Sequence, residues 1–179
     1  SSHDRGLVQS IDIVKAAREL SGMDLKLHCF YGTENMRKMG MNDWADQIHK
    51  KIEDNKDFVV YHGMVNKKIL MKHFTEVAVW IYPADFIETY CITAIEALCA
   101  GAFPIVRPMG ALPFTLNGAI ESGMCDLIDV EVTDSGSIGI WANRLVDALI
   151  EKKWQRVKVD PETKSWERVA DFFIEEMRL

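Results

Sequence analysis

Short apolar segments of strand length alternate with helix-length segments along most of this chain. The clearest is the unbroken apolar run from Val77 to Tyr82, which Pro83 ends. Further strands are predicted at residues 25–29, 58–61, 103–106 and 127–130. Because helix-length crossovers connect parallel strands, this order predicts an α/β fold in which helices cover both faces of a parallel sheet.

Helices are predicted where apolar residues recur at helical spacing between residues that begin or end helices. Asn66 is the expected N-cap of one helix, and Ser135 or Ser137 of another that extends to Leu149. Other helices are expected at 7–20, 42–54, 91–100 and 166–177. The chain opens on a loop and a helix, so we expect the first strand of the sheet to be truncated, with Ser1 and Ser2 as its end.

Length and charge narrow the class of protein. A chain of 179 residues is expected to form one domain, covering residues 1–179. Its 21 Lys and Arg against 27 Asp and Glu give a net charge of −6, which offers no general attraction to nucleic acid or to anionic lipid. No apolar run approaches the roughly 18 residues of a membrane span. Any anionic ligand must therefore be bound by a few placed groups.

The four cysteines, Cys29, Cys91, Cys99 and Cys125, are isolated in the sequence, with no Cys-x-x-Cys spacing. Such a pattern predicts free thiols and a reducing, cytoplasmic location. The same scatter argues against a zinc site, although five histidines are present.

Ligands of an open parallel sheet bind beyond the carboxyl ends of its strands. This rule selects the loops at residues 1–6, 30–32, 62–66, 82–91 and 107–113. Neither a Gly-x-Gly-x-x-Gly motif after a strand nor a P-loop motif is present, so dinucleotide and P-loop sites lose their usual support. No Gly-x-Ser-x-Gly elbow is present, and hydrolysis by acyl transfer therefore has no candidate nucleophile.

The most informative loop joins the strand at 77–82 to the helix at 91–100. Glu88 precedes this helix and Glu96 lies within it, while Cys91 and Ile92 are expected to present free N–H groups at its start. Such a helix start binds anions. From spacing alone, Glu88 could equally complement the helix dipole, and Glu96 could lie on a solvated face.

In this segment the chain resembles the C-terminal, donor-binding domain of a GT-B fold retaining glycosyltransferase of family four. The likeness rests on Glu88 and Glu96 with seven residues between them, followed by Ala97, Gly101 and Pro104. Further matches are the basic-Gly pair at residues 5–6, the His-Gly-x-Val loop at 62–65 and the glycine loop at 110–113. The family often has Gly at the position of Cys91 and Glu at that of Phe114.

The resemblance implies a Rossmann-like half of a two-domain enzyme that transfers a glycosyl group from a nucleotide-diphospho-sugar with retention of configuration. It implies that Arg5 and Gly6 meet the donor diphosphate and that Glu88 holds the transferred sugar. Backbone groups of Tyr90, Cys91 and Ile92 would contact sugar or phosphate. The nucleoside would be held by four residues of the 62–66 loop, namely Gly63, Met64, Val65 and Asn66. The Glu96 carboxylate would accept hydrogen bonds from the ribose hydroxyls.

The resemblance also implies which partners the site requires. The donor would be a UDP- or GDP-sugar, the acceptor a glycan or another hydroxyl compound, and no metal or tightly bound cofactor would take part. The N-terminal acceptor domain would be the other half of the enzyme, and the isolated domain is expected to be inactive. Two alternatives stay open at this point: a non-catalytic sugar-nucleotide-binding module and a GT-B sugar-nucleotide epimerase.

Overall fold

The computed structural model describes residues 5–31 and 33–160. In chain order its elements are α1 (Leu7–Ser21), β1 (Leu27–Phe30), α2 (Glu34–Lys38), α3 (Asn42–Glu53), β2 (Val59–Gly63), α4 (Lys67–Glu76), β3 (Val79–Tyr82), α5 (Ile92–Cys99), β4 (Phe103–Val106), α6 (Leu112–Thr115), α7 (Asn117–Glu121), β5 (Asp126–Leu127) and α8 (Ser135–Ile150), with a 3-10 turn at Lys153–Arg156. The helix predicted at 166–177 and the strand end predicted at Ser1 and Ser2 lie outside the described residues.

All strand pairs in the described residues are parallel, which confirms the predicted α/β class. The strands divide into two sheets, one of β1 and β2 and one in the order β3-β4-β5. Leu27 lies opposite Val59 in the first sheet, and Val79 lies opposite Phe103 in the second. Helix-length crossovers therefore separate consecutive strands, as the apolar pattern indicates.

A cavity of about 610 Å³ lies between the two sheets. Residues of both β1 and β3 line it, and each of these strands pairs on one side only within the described part of the chain. Side chains of α1 and α8 also reach the cavity, including Val14 and Leu145. The two open strand edges thus face a common space.

Helices pack on both faces of the sheets. On one face α1 packs along α8, and the indole of Trp141 in α8 is fully buried while its Nε1 donates to the Val130 carbonyl at 2.9 Å. On the other face, Leu70 and Phe74 of α4 pack with Ala97 of α5 in a small apolar cluster. Trp80 of β3 contacts both this small cluster and the main hydrophobic core. None of the helices described is long and apolar enough to cross a bilayer.

Helix ends mostly follow the predicted signals. Asn66 is the N-cap of α4, because its side-chain oxygen accepts a hydrogen bond from the Ile69 amide at 3.0 Å. The prediction of Ser135 or Ser137 as the N-cap of α8 was wrong. Asp134 is its N-cap and forms a capping box with Ser137, whose amide donates to the Asp134 carboxylate at 2.8 Å. Three residues within four positions can each cap a helix, so the sequence alone does not select one of them.

Three short helices and the last strand depart from the prediction. The helices α2, α6 and α7 contain only four or five residues, too few to show a helical period. The last strand is restricted to Asp126–Leu127, where the prediction was 127–130, because pairing with β4 ends at Leu127.

All four cysteines are free thiols. Burial raises the pKa of Cys29 and of Cys125 to about 12 and that of Cys91 to about 11. These three thiols stay protonated in the native state at a pH where an unfolded chain has begun to ionise them. Each behaves as a small apolar side chain.

We expect the free energy of unfolding to fall steeply as the pH rises above about 9. Each thiol has a raised native pKa, so its contribution is complete below the unfolded pKa near 9 and is lost as the pH rises towards the native value, at about 1.4 kcal/mol per pH unit. Urea unfolding at pH 7.5, 9 and 10 under reducing conditions measures this. Cys125→Ala should flatten the slope, and equal stability at pH 7.5 and 10 would contradict the expectation.

Candidate functional site

The start of α1 lies directly on the loop that follows β3. Gly6 precedes α1 with φ +77°, and a Cβ at this position would lie 3.0 Å from the carbonyl carbon of Pro83. Only a residue without a side chain fits this close approach comfortably. Gly6 therefore brings Arg5 to the carboxyl end of β3.

Arg5, Tyr82 and Glu88 form a hydrogen-bonded triad at this end of the sheet. Arg5 Nη1 donates to the Glu88 carboxylate and also to the Tyr82 hydroxyl, which lies 3.0 Å away. The Tyr82 hydroxyl in turn donates to Glu88 Oε1 at 2.5 Å. Residues 83 positions apart in the chain thus meet beyond the end of β3.

The triad places a buried acid beside an accessible cation. The Glu88 side chain is 7% exposed and that of Arg5 is 35% exposed. The Arg5 guanidinium also lies 3.6 Å from the ring centroid of Phe86, at cation–π distance. Burial and the hydrogen bond to Glu88 raise the pKa of Tyr82, although Arg5 opposes this shift. The Tyr82 hydroxyl therefore remains a donor, and Arg5 can still meet an anion from solvent.

The glycine loop after β4 fixes the backbone of Glu88. The Ala111 amide donates to the Glu88 carbonyl at 2.7 Å. Gly110 has φ +60°, and a Cβ there would lie only 2.3 Å from the same carbonyl oxygen. Farther along, the Thr115 hydroxyl donates to the Tyr90 carbonyl at 2.6 Å. The loop and α6 thus hold the segment from Glu88 to Tyr90 through backbone contacts.

The α5 N-terminus follows this segment immediately. Its N-cap, Cys91, is buried and has φ +58°, a conformation that glycine adopts more readily than any other residue. The positive φ of Cys91 explains why the family that the sequence resembles often has glycine at this position. Ile92 begins the helix and is 55% exposed. The first turn of α5 can therefore be approached from solvent beside Arg5 and Glu88.

Glu96 belongs to a second group, which lies between α5 and the start of α4. Lys67, the first residue of α4, forms an ion pair with Glu96, whose side chain is 18% exposed. Val65 packs on the small cluster that contains Ala97. Glu96 is therefore adjacent to the 62–66 loop.

The residues of the 62–66 loop differ in their exposure and in their hydrogen bonds. Gly63 ends β2 with φ +64°, and its carbonyl accepts from the Tyr31 amide at 2.8 Å. Met64 is 60% exposed, whereas the side-chain oxygen of Asn66 is occupied by the cap of α4. The Met64 and Val65 backbone is the part of the loop nearest to Glu96 that is not committed to a strand or a helix.

Arg107 takes part in neither group. It forms an ion pair with Asp85 and a longer one of 3.4 Å with Glu131, so it joins the loops after β3 and β5 as a rim salt bridge. Phe114, next to the glycine loop, is 83% exposed.

Sequence reasoning missed three residues of these groups. Tyr82 was interpreted only as a strand end, Phe86 only as a loop residue, and Lys67 was not selected. Their signal was weak, since none lies in a recognisable motif, and Arg5 and Glu96 are distant in the sequence from the residues that they contact. The position of Tyr82 as the last residue of a predicted strand was the best available clue.

The chain is similar in sequence to one curated protein. An uncharacterized 41.2 kDa protein from the cps region of Klebsiella pneumoniae is 29% identical over 112 residues, which are 60% of this chain and 31% of that protein. The chain thus spans about a third of the length of this curated relative. No protein-family model matches the chain.

Solved structures match over nearly all of it. Sucrose-phosphate synthase from Thermosynechococcus elongatus superposes with a TM-score of 0.65 at 20% identity, covering 99% of this chain and 42% of that one. A glycosyltransferase from Rickettsia africae ESF-5 gives a TM-score of 0.59 at 12% identity, covering 97% and 45%. The fold is the Rossmann-like α/β fold of slightly less than half of each of these structures. The predicted fold class is therefore confirmed.

Proposed function

We propose that this chain is the donor-binding half of a retaining GT-B glycosyltransferase of family four and binds a nucleotide-diphospho-sugar. The observation that carries the proposal is the convergence of Arg5 and Glu88 at the carboxyl end of β3, beside the start of α5. Ligands of open α/β sheets bind at this edge. A half-exposed guanidinium and free helix amides suit the diphosphate, and a buried carboxylate suits the hydroxyl groups of a sugar.

The diphosphate is assigned to Arg5 and to the first turn of α5. Arg5 is fixed by Tyr82, Glu88 and Phe86, so its charge is oriented before the ligand arrives. Preorganised charge of this kind stabilises the negative charge that develops on a departing diphosphate. In this role Arg5 and the helix amides neutralise the leaving group with no metal required.

The sugar and the nucleoside are assigned to the two carboxylates. Glu88 is buried, and its backbone carbonyl accepts from the Ala111 amide. Arg5 and Tyr82 both donate to its Oε1, so its Oε2 can accept from a sugar hydroxyl. Glu96 lies next to the 62–66 loop, which suits a carboxylate that accepts from ribose hydroxyls. Met64 and Val65 would hold the base through backbone groups, and Lys67 would release Glu96 as the ribose binds.

The reaction requires a second domain that brings the acceptor. The anomeric C–O bond to the diphosphate breaks, the acceptor oxygen bonds to the same face of that carbon, and the acceptor proton passes to the departing diphosphate. Residues of this chain supply the binding and charge stabilisation for the leaving group. The cavity between β1 and β3 supports a related proposal, that one further parallel strand belongs between the two sheets.

Calorimetry with UDP, GDP and their sugars tests the two carboxylates separately. Glu96→Ala should weaken binding of the nucleotide by about 10- to 100-fold, because a hydrogen bond to a charged group contributes about 1.5–3 kcal/mol. Glu88→Ala should leave the affinity for the free nucleotide within about threefold and should remove the preference for one sugar over another.

Glu19→Ala, on the exposed side of α1, is the charge-matched control and should change neither property. Far-UV circular dichroism confirms that each variant is folded. Unchanged nucleotide affinity in Glu96→Ala together with unchanged sugar preference in Glu88→Ala would overturn the proposed donor site.

A further inference from the structure

Three histidines meet on one face of the smaller sheet. His28 lies in β1, His62 in β2 and His73 in the last turn of α4. His28 Nδ1 lies 2.9 Å from His62 Nε2. One ligand nitrogen from each ring lies within 4.8 Å of the other two.

The fold accounts for this convergence. His28 of β1 lies opposite Val60 of β2, and His62 lies two residues further along β2, so the two side chains share a face of the sheet and their rings stack with centroids 5.2 Å apart. The crossover helix α4 covers them and places the His73 ring 4.5 Å from that of His62. Phe30 stacks on His62 at 4.5 Å and closes one side of the cluster.

The protonation of these rings suits metal ligation. A neutral imidazole is the form that binds a metal. In the His28–His62 contact one nitrogen donates and the other accepts, so at least one ring is already neutral.

The spacing of the nitrogens is close to that of a tetrahedral site. Zinc–nitrogen bonds of about 2.0–2.1 Å at a tetrahedral angle separate two ligand nitrogens by about 3.3 Å. The 2.9 Å between His28 and His62 is slightly shorter than this, and the 4.8 Å limit for the trio is moderately longer. Small rotations of the rings therefore suffice to bring all three onto one ion.

Two further features complete the environment of such an ion. The Glu76 carboxylate lies 3.6 Å from His73 Nδ1, where it can orient the ring and favour Nε2 as the ligand. His28 and His73 also line the cavity between the sheets, and three protein ligands leave the fourth tetrahedral position to water. Three imidazoles with an open fourth position match a zinc-type site and do not match the oxygen ligands that Mg²⁺ and Ca²⁺ prefer.

We propose that His28, His62 and His73 form a binding site for one divalent transition metal ion of the Zn²⁺ class. This site shares no ligand residue with the proposed donor site, although His62 begins the 62–66 loop, and its metal binding can be measured without a donor. An ion held there would connect β1, β2 and α4 at a point immediately before Gly63 and so would fix the 62–66 loop. The sequence argument against zinc rested on the spacing of the cysteines, whereas the three proposed ligands are all histidines.

Isothermal titration of the untagged, chelator-treated chain with ZnCl₂ tests the proposal. We expect one Zn²⁺ per chain. Loss of a partner that only orients a ligand already costs about 10- to 100-fold in metal affinity, so His28→Ala and His73→Ala should each weaken binding by about 100-fold or more. His49→Ala is the matched control, since His49 lies on α3 and bonds Thr33 at 2.5 Å instead. It should bind Zn²⁺ as the unchanged chain does.

A spectroscopic measurement on the unchanged chain keeps the test independent of how the variants fold. Co²⁺ should give the strong visible absorption of a four-coordinate ion, and Zn²⁺ should displace it at one equivalent. The proposal is overturned by the absence of saturable Zn²⁺ binding, by equal affinity in His49→Ala and His73→Ala, or by a Co²⁺ spectrum of octahedral type.

Discussion

Replacing Gly110 by alanine is expected to abolish donor binding at micromolar nucleotide-sugar and to destabilise the fold by about 2–5 kcal/mol. The new Cβ would lie 2.3 Å from the Glu88 carbonyl oxygen and 2.7 Å from the Glu88 nitrogen, both rigid backbone atoms. Glu88 must therefore move. A left-handed alanine costs about 1–2 kcal/mol, and a lost buried hydrogen bond adds about 1–3 kcal/mol.

Gly40→Ala separates the two causes of this loss. Gly40 has φ +78°, but a Cβ there has nothing within 4 Å. This variant should show only the backbone strain, about 1–2 kcal/mol in urea unfolding, with donor affinity unchanged. If Gly110→Ala binds donor as well as Gly40→Ala does, the contact between the glycine loop and Glu88 has no part in the site.

Removing the Arg5 side chain is expected to weaken donor binding by about 10- to 100-fold, because a charge-assisted hydrogen bond to phosphate contributes about 1.5–3 kcal/mol. The loss should appear equally with free UDP or GDP, since the diphosphate is common to nucleotide and nucleotide-sugar. Stability should also fall, by about 3 kcal/mol, because the buried Glu88 carboxylate loses its cationic partner and keeps only the hydrogen bond from Tyr82. Calorimetry and urea unfolding of Arg5→Ala measure the two effects.

Two further variants make this prediction specific. Arg5→Lys retains the charge but loses the planar group that bonds Tyr82 and Glu88 together, so an intermediate affinity is expected. Arg144→Ala removes an equal charge from α8, where Arg144 lies 3.9 Å from Asp126, and should leave donor affinity unchanged. Equal losses in Arg144→Ala and Arg5→Ala would show a general charge effect and contradict a bound diphosphate at Arg5.

Much of the fold could be predicted because its signals are local. The apolar run at 77–82 contains β3, Asn66 caps α4, and Gly22 follows the last residue of α1. The short helices α2, α6 and α7 carry no such signal. The division into two sheets was also not predicted, because a list of strands does not specify which of them pair.

The site was predictable in its residue types but not in its contacts. Motif spacing selected Glu88 and Glu96, and the basic-Gly pair selected Arg5. Tyr82 and Lys67 lie outside those motifs, and their importance depends on Arg5 and Glu96, which only the folded chain brings near them. The histidine cluster is similar, since the distance from His28 to His73 in the sequence hides a short distance in space. The roles assigned to the donor residues stay predictions.

The cavity between the two sheets has a consequence for how this domain holds together. In the described residues no strand is hydrogen-bonded across the gap, so the two sheets are joined by the packing of α1 along α8 and of α4 on α5, and by the ion pairs from Arg5 to Glu88 and from Lys67 to Glu96. Both ion pairs end on carboxylates of the proposed donor site. A donor bound at those carboxylates would add to the links between the halves, so we expect ligand binding to raise the stability of the domain as a whole.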